Sequence, residues 1–150
     1  MSNWFECKVR YDKVQQDGSV RKVTEPYLVD ALSFTEAEAR ITEEQTPYIS
    51  GEFDVTAVKR TRISEIIWDE NGDRWFQTKI VFLQIDEKGN EKRTNVFYLI
   101  QATDLKTALD NLLEHMKGTM MDFTIASLAE TPLLDVYKVK LGEKNVKTEE

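Results

Sequence analysis

The sequence predicts an α+β fold, a tandem duplication of a β-β-α-β unit with mainly antiparallel sheet and two helices packed on it. Three observations predict it. Trp4-Phe5 recurs as Trp75-Phe76, 71 positions on, and the same ungapped shift pairs Lys8 with Lys79, Gly18 with Gly89, Tyr27-Leu28 with Tyr98-Leu99, Ala31 with Ala102 and Ala37 with Ala108. Apolar and polar residues alternate with period 2 after each Trp-Phe pair, which marks half-buried strands. An apolar helical face then follows in each copy, thin in the first and a fuller stripe at i, i+3, i+4 spacing in the second. A row of matches in one register, anchored on a rare residue type, is the signature of an internal repeat.

The opening strand of the first copy alternates Phe5, Cys7, Val9 and Tyr11 with Glu6, Lys8 and Arg10. Gln15-Gln16-Asp17-Gly18-Ser19 supplies the turn, because Gly18 can take positive φ without a Cβ clash. A second strand runs from about Val20 to Ala31, and Pro26 within it, which has no N–H to donate, favours an edge or a bulge. Ser33 with Glu36, or Thr35 with Glu38, has capping-box spacing for a helix whose apolar face is Phe34, Ala37 and Ile41. Pro47 and Gly51 end it, and a third strand is expected from Glu52 to Ile67.

The second copy repeats this order. Strands are expected over 74–85 and 91–102, joined by Asp86-Glu87-Lys88-Gly89-Asn90. The helix carries Leu105, Ala108, Leu109, Leu112, Leu113 and Met116, with Gly118 as its C-terminal cap. A last strand is expected over 122–128, resuming after Pro132 through 133–137. Two copies of about 70 residues are each marginal alone, since small domains bury too little surface. One fused domain over 1–140 is therefore expected, with a first copy over 3–68, a second over 74–137, and a polar tail over 141–150.

Composition bounds function. The chain has 150 residues, 41% hydrophobic, with 20 Lys plus Arg against 27 Asp plus Glu for a net charge of −7. That is enough apolar material for a core, and no apolar run approaches the ~20 residues of a membrane span. The opening Met1-Ser2-Asn3-Trp4 lacks a charged and then apolar leader, so a soluble, cytoplasmic protein is expected.

Chemistry-bearing residues are sparse. Cys7 is the one cysteine and His115 the one histidine, so neither a disulfide nor a Cys/His zinc set can form. Cys7 lies on the apolar side of its strand, where a thiol behaves as a small hydrophobe, and a Cys7–His115 nucleophilic pair is set aside. Asp69-Glu70-Asn71-Gly72-Asp73 has carboxylates around a glycine, but its spacing is not that of a calcium loop and reads as the turn between copies. Glycine-rich phosphate motifs are absent. No catalytic residue, cofactor or metal is expected, and the chain reads as a non-enzymatic binding or assembly module.

The copies differ in two informative ways. Ile80-Val81-Phe82-Leu83 is continuously apolar where the first copy alternates, which implies cover on both faces of the strand. Val81, Leu83 and Ile85 are the candidate contacts, with a homodimer the expected partner if the cover is not intramolecular. Basic residues meanwhile sit on strands and acidic ones on the first helix. Lys8, Arg10, Lys59, Arg60, Arg62 and Lys79 for phosphates, with Trp4 and Trp75 for base stacking, make single-stranded nucleic acid an alternative partner, opposed by the net charge. A pocket for a small anion or nucleotide between the copies is a second alternative.

Several phrases also resemble a known family. Trp4-Phe5-Glu6-Cys7-Lys8-Val9-Arg10-Tyr11, the run from Thr24 to Arg40, Thr46-Pro47-Tyr48-Ile49-Ser50-Gly51, Met116-Lys117-Gly118-Thr119-Met120 and Ala129-Glu130-Thr131-Pro132 resemble a domain of unknown function found in Bacteroidetes and their phages. The resemblance covers nearly the whole chain short of its tail. It implies a cytosolic, single-domain bacterial or phage protein and transfers no activity, cofactor or site residue.

Overall fold

The computed structural model describes residues 3–138, and the tail expected over 141–150 lies outside them. Ten elements follow in the order β1 (Trp4–Val14), β2 (Val20–Asp30), α1 (Phe34–Gln45), β3 (Phe53–Arg60), β4 (Ile63–Ile67), β5 (Arg74–Ile85), β6 (Glu91–Ala102), α2 (Leu105–Met116), β7 (Asp122–Glu130) and β8 (Asp135–Tyr137). They form two four-stranded sheets, ordered β3-β1-β2-β8 and β7-β5-β6-β4, each with one helix. The fold is α+β, and its two similar sheet-plus-helix halves are those of a duplicated unit.

The duplication extends to details. Hairpin β1–β2 pairs Trp4 with Asp30 through Val14 with Val20, and hairpin β5–β6 pairs Arg74 with Ala102 through Ile85 with Glu91. Gly18 and Gly89 take φ of 86° and 83° in the two hairpin turns, the conformation only glycine adopts without strain. Strand β3 carries an extra residue, Thr56, against β1, and β7 carries one, Ala126, against β5. Both are β-bulges, at matching positions.

Each helix begins on a side-chain cap. Ser33 Oγ accepts from the Glu36 N–H at 3.1 Å, and Glu36 Oε2 accepts from the Leu32 N–H at 3.3 Å. Asp104 Oδ1 accepts from the Thr107 N–H at 2.8 Å. The helices pack the same side of equivalent cores. Phe5, Val9, Val29, Ala31, Ala37 and Ile41 form the first, and Phe76, Ile80, Ile100, Ala102, Ala108 and Leu112 the second, each 71 positions from its counterpart. Burial of these side chains is what stabilises the halves, since each fully buried large apolar residue contributes about 1.5–3 kcal/mol.

The third strand departs from the sequence reading. The alternation from Glu52 to Ile67 is broken at Thr61-Arg62, where the chain leaves the first sheet. Strand β4 then pairs in parallel with β6, Glu65 opposite Tyr98 and Ile66 opposite Leu99. Strand β8 does the same with β2, Asp135 opposite Tyr27 and Val136 opposite Leu28. One compact unit therefore runs to Thr61 and resumes at Asp135, while the other spans Arg62–Leu134. The fourth strand of each sheet comes from the end of the other copy. In β2 only Tyr27–Val29 have β8 beside them, so among the described residues Pro26 stands where the strand has a neighbour on one side alone, which suits its missing N–H.

Candidate functional site

In the first unit, the face of β1 away from α1 carries Glu6, Lys8 and Arg10. Across the ladder, Lys59 stands opposite Glu6 and Asp54 opposite Arg10. Lys8, Arg10 and Lys59 are exposed, but two carboxylates are interleaved with them, so the face is mixed rather than basic. Arg60 turns away, its guanidinium 5.4 Å from the centre of the Phe5 ring. In the second unit Arg62 lies 4.5 Å over the Phe97 ring and Lys79 is half-buried. Both arginines are held on aromatic faces, a contact that favours a guanidinium over other cations.

Trp4 and Trp75 are 5% and 3% exposed. Neither offers an indole face to a nucleobase in this fold, because stacking needs an open ring surface. The tryptophan that is exposed is Trp68, at 45%, standing edge-on to Trp75 with centroids 5.7 Å apart. Sequence reasoning passed over Trp68, although its place just after the apolar Ile66-Ile67 pair and before the Asp69–Asp73 turn marks it as the end of an element.

Groups with chemical capability are structurally engaged. Cys7 is fully buried, and its thiol donates to the Ala37 carbonyl at 3.9 Å. Burial, with the nearby charges of Glu6 and Glu38, pushes its pKa from 9.0 up to about 12. A thiol so raised supplies almost no thiolate near neutrality. It lies in the first unit and His115 in the second. The His115 imidazole instead meets the Glu65 carboxylate from β4 and stands edge-on to Tyr98 of β6, with ring centroids 5.6 Å apart. Burial and then the Glu65 charge raise the Tyr98 phenol above its usual range. This cluster ties β4, β6 and α2 together.

The Asp69–Asp73 segment is likewise built into the second unit. Asn111 Nδ2 donates to Asp69 Oδ2 at 2.9 Å and to the Gln101 carbonyl at 3.1 Å. Gln101 Oε1 accepts from the Asp69 N–H at 3.0 Å, while its Nε2 donates to the Gly72 carbonyl at 3.0 Å. The Asp69 carboxylate serves the turn, its Oδ1 also accepting from the Asn71 N–H at 3.1 Å. Among the described residues, no group of three or more His, Cys, Asp or Glu is placed to hold a metal ion. Nor is any helix long and apolar enough to cross a membrane.

What the second unit does display is apolar surface. On the face of β5 away from α2, Val81 and Leu83 are half-buried and Ile85 is 66% exposed. Their equivalents on β1 are Arg10, Asp12 and Val14. On α2, Leu105, Leu109 and Leu113 are exposed at i, i+4, i+8, where α1 carries Phe34, Glu38 and Thr42. The two units share one scaffold, so these apolar residues are not what that scaffold demands. Isolated exposed apolar residues are ordinary; aligned ones mark contact surfaces.

A family model described as a domain of unknown function, DUF4494, matches residues 3–139. No curated protein matches the chain.

Proposed function

The chain belongs to the DUF4494 family, a domain of unknown function, and from that premise we propose that it is a non-enzymatic binding and assembly module of the cytoplasm that pairs with a second copy of itself. The bacterial or phage source implied by the resemblance is part of the same reading.

The observation that carries it is the replacement of Arg10 and Asp12 by Val81 and Leu83 on the same face of the same strand. A solvated strand face keeps its charges. Val81 and Leu83 keep none, and Ile85 beyond them stands open. A twofold dimer buries one patch against itself, so the strip on β5 would enter such an interface twice. The interleaved carboxylates of the first sheet and the buried indoles give the nucleic-acid reading no comparable support.

Light scattering at micromolar concentration tests the reading. A mass near twice 17.4 kDa is expected, falling to the single-chain mass in Leu83→Asp, which restores the residue type of Asp12. A strict monomer for the unaltered chain overturns it.

A further inference from the structure

The outer edge of the second sheet differs from that of the first in a way that indicates a ligand. Among the described residues, strands β3 and β7 both stand at the end of their sheet, with a neighbour on one side only. The edge of β3 carries Asp54, Lys59 and Arg60; the equivalent residues of β7 are Thr124, Ala129 and Glu130. From Phe123 to Ala129 the β7 edge has neither charge nor proline. Charges on an edge strand are what ordinarily keep other chains from pairing with it.

The helix above this edge has changed with it. Asn111 bonds to Asp69 and to the Gln101 carbonyl, and His115 meets Glu65, so that flank of α2 faces the β6–β4 side of the sheet. The opposite flank therefore faces β5 and β7. It bears Leu109 and Leu113, 37% and 45% exposed, in the places of Glu38 and Thr42 on α1. A helix about 10 Å across covers about two strands spaced 4.8 Å apart. Phe123, Ile125 and Leu128, on the helix side of β7, are accordingly left only partly buried.

We propose that this ledge, the open backbone of β7 beneath Leu109 and Leu113, docks an extended segment of a partner protein, which adds to the sheet as a fifth strand. The backbone N–H and C=O groups on the outer side of β7 select the occupant's form. A strand satisfies them, whereas a helix or a globular face laid in the same groove leaves them unpaired. The apolar side chains select its chemistry: residues at alternate positions continue the Phe123–Ile125 face under the leucines and are themselves apolar. Charge selects its ends. The edge is uncharged until Asp122, and Glu130 at the far end has Arg74 at 3.9 Å, so a cation on the incoming segment finds its complement at Asp122.

A second copy fits this edge less well. Antiparallel self-pairing about the bulge at Ala126 sets Asp122 of one chain opposite Glu130 of the other, twice, with two bulges at the axis. The strand-addition site is thus distinct from the β5 face assigned to the dimer, and one can fail without the other.

The probe is a set of seven-residue peptides with Val, Ile, Leu or Phe at alternate positions, Thr between them, and Lys at one end. Amide exchange of the whole chain is followed as each is added. The expected result is slowed exchange within 123–129 on adding at least one peptide. Its affinity falls about tenfold or more both in Leu109→Glu/Leu113→Thr and in Thr124→Asp/Ala129→Lys, which copy the first unit, a change of about 1.4 kcal/mol or more. All four positions are exposed or on the edge, and circular dichroism verifies that each variant is folded. The proposal is overturned if no peptide slows exchange there, or if the variants bind as well as the parent. It is equally overturned if those amides become protected when chain concentration alone is raised, which would assign the edge to a second copy.

Discussion

Thr61 donates twice to Trp4: its backbone N–H lies 2.9 Å and its hydroxyl 2.8 Å from the Trp4 carbonyl oxygen. Thr131 repeats the pair on Trp75, at 2.8 and 3.0 Å. Each threonine directly follows the third strand of its copy, β3 or β7, where the chain leaves that sheet. Replacing either by Val keeps the shape and removes the hydroxyl donor. Thr61→Val and Thr131→Val are each expected to lower the unfolding free energy by about 1 kcal/mol, read from urea midpoints at unchanged slope. Equal losses would show that the two exits are energetically as well as geometrically equivalent.

The same threonines mark where sequence reading stops. The repeat located both hairpins and both helices, because Phe5, Val9, Ala31 and Ala37 and their partners 71 positions on are core residues whose spacing packing enforces. It did not locate the crossover at Thr61-Arg62, because the apolar positions on either side continue one strand pattern with no breaker between them. The signal lay in the other copy. With one residue less before the third strand, Thr61 aligns with Thr131 and Arg62 with Pro132, and a proline there ends a strand. Burial of Trp4 and Trp75 was illegible for a different reason. Alternation assigns a residue to a face of the sheet without saying whether that face is solvated. The β7 edge escaped notice because uncharged residues in a strand look the same at an edge as in the middle of a sheet.

Alkaline pH is expected to act chiefly on the first unit. Burial, with the Glu25 hydrogen bond and charge, lifts the Tyr11 phenol from 10.0 to about 12; burial and Asp135 lift Tyr137 to about 12; burial and Glu25 raise Tyr27 further. Cys7 rises from 9.0 to about 12. Each group holds its proton in the folded chain at a pH where the unfolded chain has lost it. The unfolded state therefore binds fewer protons, and stability falls as pH rises. The contribution is complete below about pH 9 and disappears toward pH 12. Thermal melts across that window should show a steady fall, shallower in Tyr11→Phe. A melting temperature unchanged from pH 9 to 12 refutes the assignment.

Cys7 gives the same burial a chemical readout. A disulfide reagent needs thiolate and access, and the buried, raised thiol denies both. In the folded protein at pH 8, labelling of Cys7 should proceed only as fast as the chain opens, and addition of urea past the midpoint should release it. Rapid stoichiometric labelling in native buffer would place the thiol at the surface.

The turn between the copies carries the last prediction. A Cβ on Gly72 would lie 2.5 Å from the Ala102 backbone nitrogen and 2.6 Å from its Cα, closer than any tolerated contact. The obstacle is main chain in strand β6, which cannot swing aside as a side-chain end can. Gly72→Ala is expected to cost about 1–3 kcal/mol, the range for forcing extra volume into packed structure. Moving Gly72 also breaks the Gln101 Nε2 bond to its carbonyl, which shares Gln101 with Asp69. Gln101→Ala alone removes both bonds and should cost about 1–3 kcal/mol, because it strands partly buried partners. The two changes act on one network, so the double variant is expected to lose less than the sum of the singles. A double-mutant cycle in urea measures the difference, and strict additivity would mean that the Gly72 packing and the Gln101 hydrogen bonds act independently.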